Sequence, residues 1–533
     1  MTRYDWPGGA AQSDAGEGDD PMARAHFNAA RRNGLPLDAA LGAARTPHPP
    51  EVQPTAARGG RRAPRAPANG RQHLWQSLGP ATILGGQAEG NPRVTGRINA
   101  LCVHEDGLRL YAAAANGGVW YSKDGGAQWH SVGGLATTNA AGITRPAQRN
   151  ACGALHVEFG AVEGEDQVFV GTGEVGVGIA GVDFTGSPGS SEGGVGILVG
   201  DRPVKSVQPD PWRREAPNLV GNGVYRIVRD PTAGGTLLAA TLTGLYQRPA
   251  APAADVDWVR PTGTLFATLA QPCSDLLWTP AHGTAPARCW VWVVSGANAG
   301  LWVRATGEAN FAKVAIDPAA GLAYSPRRAS LAASNPPTQV WLFNDAGAGP
   351  NARLFRVTNP AAGTAPVAHG VVRVPNVLDT QGGYDIAVVV DPTQPNRVVI
   401  AGSLVMAQTL DGQQEQWNAA ITVADVAPDP GSGNRLTFGQ AAAPLEIGGG
   451  AHPDVHALAF SNAGATLWTG TDGGVYRSDR PTSPAGFYAR NHGLTIAESN
   501  YVAGHPQADG HLIAGLQDNG TVQRLSSGVW RMK

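Results

Sequence analysis

From Leu74 onward the chain repeats a unit of short apolar segments divided by Gly-rich turns, at a spacing of roughly 40–60 residues. The unit is clearest over 98–132, INALCVHEDGLRLYAAAANGGVWYSKDGGAQWHSV. It returns near 154–174, 223–260, 274–314, 330–374, 384–421, 455–491 and 500–533, giving seven or eight copies. A lone unit of this size cannot bury its own apolar faces, so the copies must stack on one another. With 72 glycines, 41 prolines and only 15% charged residues, short strands and tight turns are favoured over long helices. The expected fold is therefore all-β, a β-propeller of seven or eight four-stranded blades spanning 73–533. A ring needs closure, because an open one exposes strand edges. The segment Leu74–Leu78 is expected to complete the last blade, and Val529–Lys533 implies either a very tight closure or a longer parent chain. The Gly/Pro-rich stretches 176–222 and 428–450 are predicted to be loops on one rim.

Residues 1–72, rich in Ala, Arg, Pro and Gly, hold too few large apolar side chains to offset ordering entropy. A disordered arm acting as a tether is expected, with a marginal helix over 20–33 capped by Asp20 and opened by Pro21. A net charge of −2 without clustered basic residues argues against nucleic acid as a partner. No apolar run reaches the roughly 20 residues that span a bilayer. The start of the chain lacks the layout of a secretory signal, which leaves a cytoplasmic protein or non-classical export. The four cysteines are too few for a disulfide scaffold; Cys273 and Cys289 either pair or remain buried thiols. A monomer is expected.

Ser122, Asp124, Gly126 and Trp129 fit S-x-D-x-G-x-x-W, the Asp-box. The spacing has a mechanical basis: Ser and Asp side chains hydrogen-bond a tight turn, glycine supplies positive φ, and Trp packs between blades. Together with "VFVGTGE", "HPDVHALAF", "LWTGTDGGVYRSD" and "LIAGLQDNGT", the first unit resembles the large bacterial BNR/Asp-box propeller proteins. Those are related to sortilin-type domains and xyloglucan-hydrolase propellers and are often named glycosyl hydrolases. The resemblance implies a propeller that binds ligand around its central channel or rim. The hydrolases carry acidic residues at particular blade turns. At the matching first turn this chain has Asn116-Gly117-Gly118, whereas the later turn keeps the acid as Asp472-Gly473-Gly474.

The densest polar cluster is His452-Pro453-Asp454-Val455-His456. In an extended strand residues i, i+2 and i+4 share a face, so His452, Asp454 and His456 would converge. Such a set reads as a polar cluster fixing blade register at the channel mouth, as a ligand-binding group, or as ligands of a divalent cation, the one cofactor the sequence admits. Glu174 and Asp518 follow apolar strands at turns; they cap those turns or, with Asp472 or Asp454, supply the carboxyl pair of a glycosidase. Most of the 14 tryptophans fall in strands, which leaves Trp212 as the candidate for stacking on a sugar. The expected function is a binding scaffold for an extended glycan or protein ligand on the loop-rich face. The alternative is a glycoside hydrolase with carboxylates at the channel mouth, so enzymatic activity stays open at this stage. Phosphate-loop, zincin and α/β-hydrolase motifs are absent.

Overall fold

The alternation of apolar residues sets the architecture. In Leu110–Ala114, Leu110, Ala112 and Ala114 enter one core, while Tyr111 and Ala113 enter the next. Both faces of the strand are thus buried, as they must be when a sheet is sandwiched between two neighbours. The computed structural model describes residues 78–533 apart from 133–136, 139–143, 146–150, 174–193, 202–211, 233–234, 319–320, 348–351, 408–415, 430–434, 485, 509 and 526. The expected arm and its helix lie outside the described residues.

The first strands of successive blades are Ile98–Val103, Cys152–Glu158, Val224–Arg229, Cys273–Thr279, Ala329–Ala333, Ala387–Val390 and Val455–Ser461. Each packs against the next, and the seventh packs against the first. Seven blades therefore close a β-propeller ring among the described residues; the main strands of each blade pair antiparallel, and short parallel pairs are added to the sheets of blades 2 and 5. Leu436–Phe438 ties blades 5 and 6 together, pairing parallel to Val367–Val372 and antiparallel to Gln416–Pro428. Helical structure among the described residues is confined to three-residue turns such as Glu163–Glu165, and none could cross a membrane.

An eighth sheet stands outside the ring. Its order is Ile83–Leu84, Trp530–Met532, Thr521–Arg524, Leu512–Leu516, Ser499–Gly504. Ile83 pairs parallel with Trp530, and Ile83, Val94, Ala514, Leu516, Val522 and Trp530 form a separate small core. An N-terminal strand, Ile83–Leu84, joins the last sheet, whereas residues 74–77 of the segment expected to complete the last blade lie outside the described residues. The Leu78 carbonyl accepts from Trp530 Nε1 at 2.8 Å. Asn519 Nδ2 donates to the carbonyls of Thr95 (2.8 Å) and Asp472 (3.4 Å), fastening this sheet over the seam between blades 1 and 7.

Both expected rim loops contain strands. The stretch 176–222 contains Val195–Asp201 and Trp212–Val220, the outer strands of blade 2, so it is not a rim loop throughout. Gly196 and Gly200 thin out the apolar signal of the first strand, and Arg213–Arg214 masks that of the second. Within 428–450, Leu436–Phe438 is likewise a buried strand. Cys273 and Cys289 do not pair: Cys273 lies opposite Val293, Cys289 lies opposite Trp278, and both are buried free thiols.

The Ser122–Trp129 turn sits at the outer edge of blade 1. Ser122 Oγ accepts from Gly126 N at 2.9 Å, and Asp124 Oδ1 accepts from Gln128 N at 3.0 Å and from Ser122 Oγ at 2.8 Å. Gly126 has φ of 72°, a conformation that an L side chain would strain. The turn delivers Trp129 against Trp468 and Val475 of blade 7, where its Nε1 donates to Arg490 O at 2.6 Å. Replacing Trp129 with Ala removes a ring-closing contact and leaves a cavity, a loss of about 3–5 kcal/mol. Urea denaturation should show a clearly lowered midpoint; an unchanged midpoint would mean that this tryptophan does not hold the seam.

Candidate functional site

Bulges near the starts of the first strands re-aim side chains toward the ring axis. Register shifts occur at Ile98/Ala100, Cys152/Ala154, Val224/Arg226, Cys273/Asp275 and Val455/Ala457. Two of the side chains placed there, Asp275 and His456, are buried titratable groups, which is costly unless each is paired. Arg226 Nε lies 3.6 Å from Asp275 Oδ1, and Asp275 also accepts from Leu276 N and Leu331 N, each at 2.7 Å. Burial nevertheless pushes the Asp275 carboxyl above its ordinary range. Arg328 follows on blade 5, its guanidinium held below the ordinary arginine value by burial and donating to the carbonyls of Gly383 and Tyr384.

The belt continues at Asp472, in the turn between the second and third strands of blade 7. His456 Nε2 donates to Asp472 Oδ1 at 2.6 Å, and Tyr384 OH donates to Asp472 Oδ2 at 2.5 Å. Arg97 Nη1 donates to that same Tyr384 oxygen at 2.5 Å, with its guanidinium carbon 5.4 Å from the centre of the Tyr384 ring. The Tyr384 ring meets His456 edge-on, with centroids 4.8 Å apart. Arg97 Nη2 reaches Glu498 Oε1 at 3.8 Å, carrying the network out to the eighth sheet.

The expected triad is not built as a ligand set. The strand begins only at Val455, and Asp454 has φ of 62°, so residues 452–456 are not extended and their side chains do not share a face. Pro453 and the left-handed Asp454 break the alternation. His452 is buried, its Nδ1 donating to Pro453 O at 3.1 Å and its Nε2 accepting from Gln87 Nε2 at 3.1 Å. The Nε2 of His456 is engaged by Asp472. Among the described residues no group of three or more His, Cys, Asp or Glu side chains is placed to hold a metal.

Of the expected catalytic carboxylates, Asp472 is 1% exposed with both oxygens engaged, and Asp518 is half-buried at φ of 60° and accepts from Gln517 Nε2 at 3.1 Å. Their turns meet through Asn519, while Glu174 lies outside the described residues. Trp212 is no sugar platform: it is 1% exposed, on an outer strand, packed against Leu198 and Val170. Its flanking Gly, Pro and Arg residues suggested a loop, but tertiary pairing made a strand.

Sequence reasoning missed the accessible part of the network. A cleft of about 270 Å³ opens between Asn116–Gly117 of blade 1 and the segment 495–500 entering the eighth sheet. Inside it Asn116 Nδ2 donates to Glu498 Oε2 at 3.0 Å. One residue beyond the lining, Tyr501 is 69% exposed, and it lies across the strand pair from Gly515. A side chain at Gly515 would collide with the Tyr501 ring at 2.3 Å, so the glycine seats the ring flat on the sheet. The sequence carried one signal for this place, the polar residue Asn116 at the Asn116-Gly117-Gly118 turn.

No protein-family model and no curated protein matches this chain. Solved structures do. An ancestral GH74 enzyme aligns over 84% of this chain and 55% of its own at 12% identity, with a TM-score of 0.51. The GH74 xyloglucanase from Xanthomonas campestris aligns over 82% and 59% at 16% identity, TM-score 0.51. The Niastella koreensis GH74 enzyme aligns over 84% and 61% at 14% identity, TM-score 0.50. The chain spans 55–61% of the length of these structures, and at such identities the likeness is one of fold, the β-propeller.

Burial holds His456 below the ordinary imidazole value of 6.5, outweighing the opposing pull of Asp472. A depressed histidine contributes stability that is present above that value and lost as pH falls through the folded-state value. The stability advantage of wild type over His456→Gln should therefore shrink on acidification from about pH 7 to about pH 5. Thermal unfolding of both proteins across that range checks it; a constant gap would remove His456 from the acid response.

Proposed function

We propose that this propeller is a non-hydrolytic binding module for an extended glycan, seated in the cleft between blade 1 and the eighth sheet. The observation that carries the reading is the Asn116–Glu498 pair. A carboxylate acceptor and an amide donor 3.0 Å apart can meet two adjacent hydroxyls of a sugar ring. Arg97 behind Glu498 fixes the carboxylate, and the exposed ring of Tyr501 offers an apolar platform one residue away. Sugar rings need both elements, because their faces are apolar and their edges polar. The fold likeness to GH74 xyloglucanase propellers makes β-glucans and xyloglucan the first ligands to test.

Binding without hydrolysis is favoured by two features. Asn116 stands where the resembled hydrolases place an acid, and an amide cannot exchange a proton as a glycosidase carboxyl must. Asp472, the acid retained at the equivalent later turn, has both oxygens occupied by His456 and Tyr384.

Isothermal titration with xyloglucan and a panel of β-glucans should show binding by the wild type, and Glu498→Gln should weaken it by about tenfold or more. Tyr501→Ala should weaken it as well. Release of reducing ends by the wild type would replace this reading with hydrolysis. Failure of every glycan to bind would reject it and favour a protein ligand.

A further inference from the structure

The network described above leaves one group unexplained. Asp385, at the entry to the first strand of blade 6, is 0% exposed, and neither of its carboxyl oxygens meets an N–H or O–H donor. A buried carboxylate without donors is among the costliest arrangements a protein can contain. The natural counter-ion would be Arg328, yet Arg328 directs its hydrogen bonds to the carbonyls of Gly383 and Tyr384. What faces Asp385 instead is another acid, Asp454 of blade 7, within hydrogen-bonding reach and itself 4% exposed. Two carboxyls can hydrogen-bond each other only through a proton that one of them carries.

We propose that Asp385 and Asp454 share one proton, forming a hydrogen-bonded latch across the seam between blades 6 and 7 that opens when the proton leaves. The surroundings favour keeping the proton. From blade 7, Asp472 adds further negative charge, and burial disfavours the charged form of His456. From blade 5, the cation Arg328 faces Asp385, and from blade 1, Arg97 is turned to Tyr384 and Glu498. Asp345 of blade 5 packs beside Gly382 and leans on Arg327. Burial and the neighbouring Asp454 and Asp472 together hold the Asp385 carboxyl well above the ordinary carboxyl value. The left-handed backbone at Asp454 turns the chain just before its strand, and Asp454 N donates to Ser403 O of blade 6 at 3.4 Å, so the main chain bridges the same seam.

The sign follows from linkage. A carboxyl whose folded-state value is raised stabilises the fold below the unfolded carboxyl value, and that stabilisation is lost as pH rises toward the folded one. Asp385→Asn replaces the shared proton with a permanent amide donor to the Asp454 carboxylate. Over about pH 5–9 the folding constant of the wild type should therefore fall relative to that of Asp385→Asn, by about tenfold per pH unit until the proton is lost. Thermal and denaturant unfolding of both full-length proteins reads this ratio. A pH-independent ratio overturns the proposal, and so does a wild-type profile that shifts on chelation with EDTA, which would point to a bound cation. The infrared spectrum gives a readout that does not require the variant to fold. Wild type at about pH 7 should show a protonated-carboxyl C=O stretch that disappears on alkaline titration; absence of that band overturns the proposal too.

Discussion

Everything in this molecule depends on the seventh blade meeting the first. Each middle strand is apolar on both faces, so no blade is stable with one face in water, and only a closed ring gives every face a partner. The last seam is made by Trp129, Trp468, Ile98 and Val475, with Leu494 and Ile496 entering from the segment that leaves the ring. Because the seam is formed by side chains from both ends of the ring, its closure draws Thr95, Arg97, Asp472 and Glu498 into one neighbourhood. The polar network and the cleft are consequences of that closure.

Charge around the axis is handled in two ways. Between blades 3 and 4 and between blades 7 and 1, buried acids face bases or donors: Asp275 meets Arg226, and Asp472 meets His456 and Tyr384 with Arg97 behind. Between blades 6 and 7 the arrangement differs, with an acid facing an acid. A buried polar belt of this kind adds little to net stability compared with apolar packing, but it penalises any slip of one blade against the next. Register precision at the axis then sets the geometry of the outer end of the network, where Glu498 emerges.

The eighth sheet turns a ring into a surface with a cleft. It is fastened by Asn519 to two backbone carbonyls and by Glu498 to Arg97 and Asn116, a mostly polar attachment quite unlike the apolar seams between blades. Its own apolar core is small. Its edge strand Ser499–Gly504 is exposed along most of its length and presents Tyr501 beside the cleft.

The sequence by itself determined the all-β fold, the repeated unit and nearly all of the blade positions, because these rest on local alternation and on turn residues such as those of Ser122–Trp129. It also singled out Asp472 as an acid at a blade turn and His456 as a member of a polar cluster. Tertiary structure alone decided what they do. His452, Asp454 and His456 were expected to align because strand periodicity was extended back from Val455 to His452, through Pro453 and a left-handed aspartate. Trp212 and the strand Val195–Asp201 were hidden because glycine and arginine diluted their apolar pattern, although pairing across the blade still fixed them as strands. Asp385, Arg328, Arg97, Tyr384 and Glu498 gave no local signal at all. They come from blades 1, 5 and 6 and from the segment entering the eighth sheet, hundreds of residues apart in some cases, and they acquire meaning only when ring closure removes water from between them.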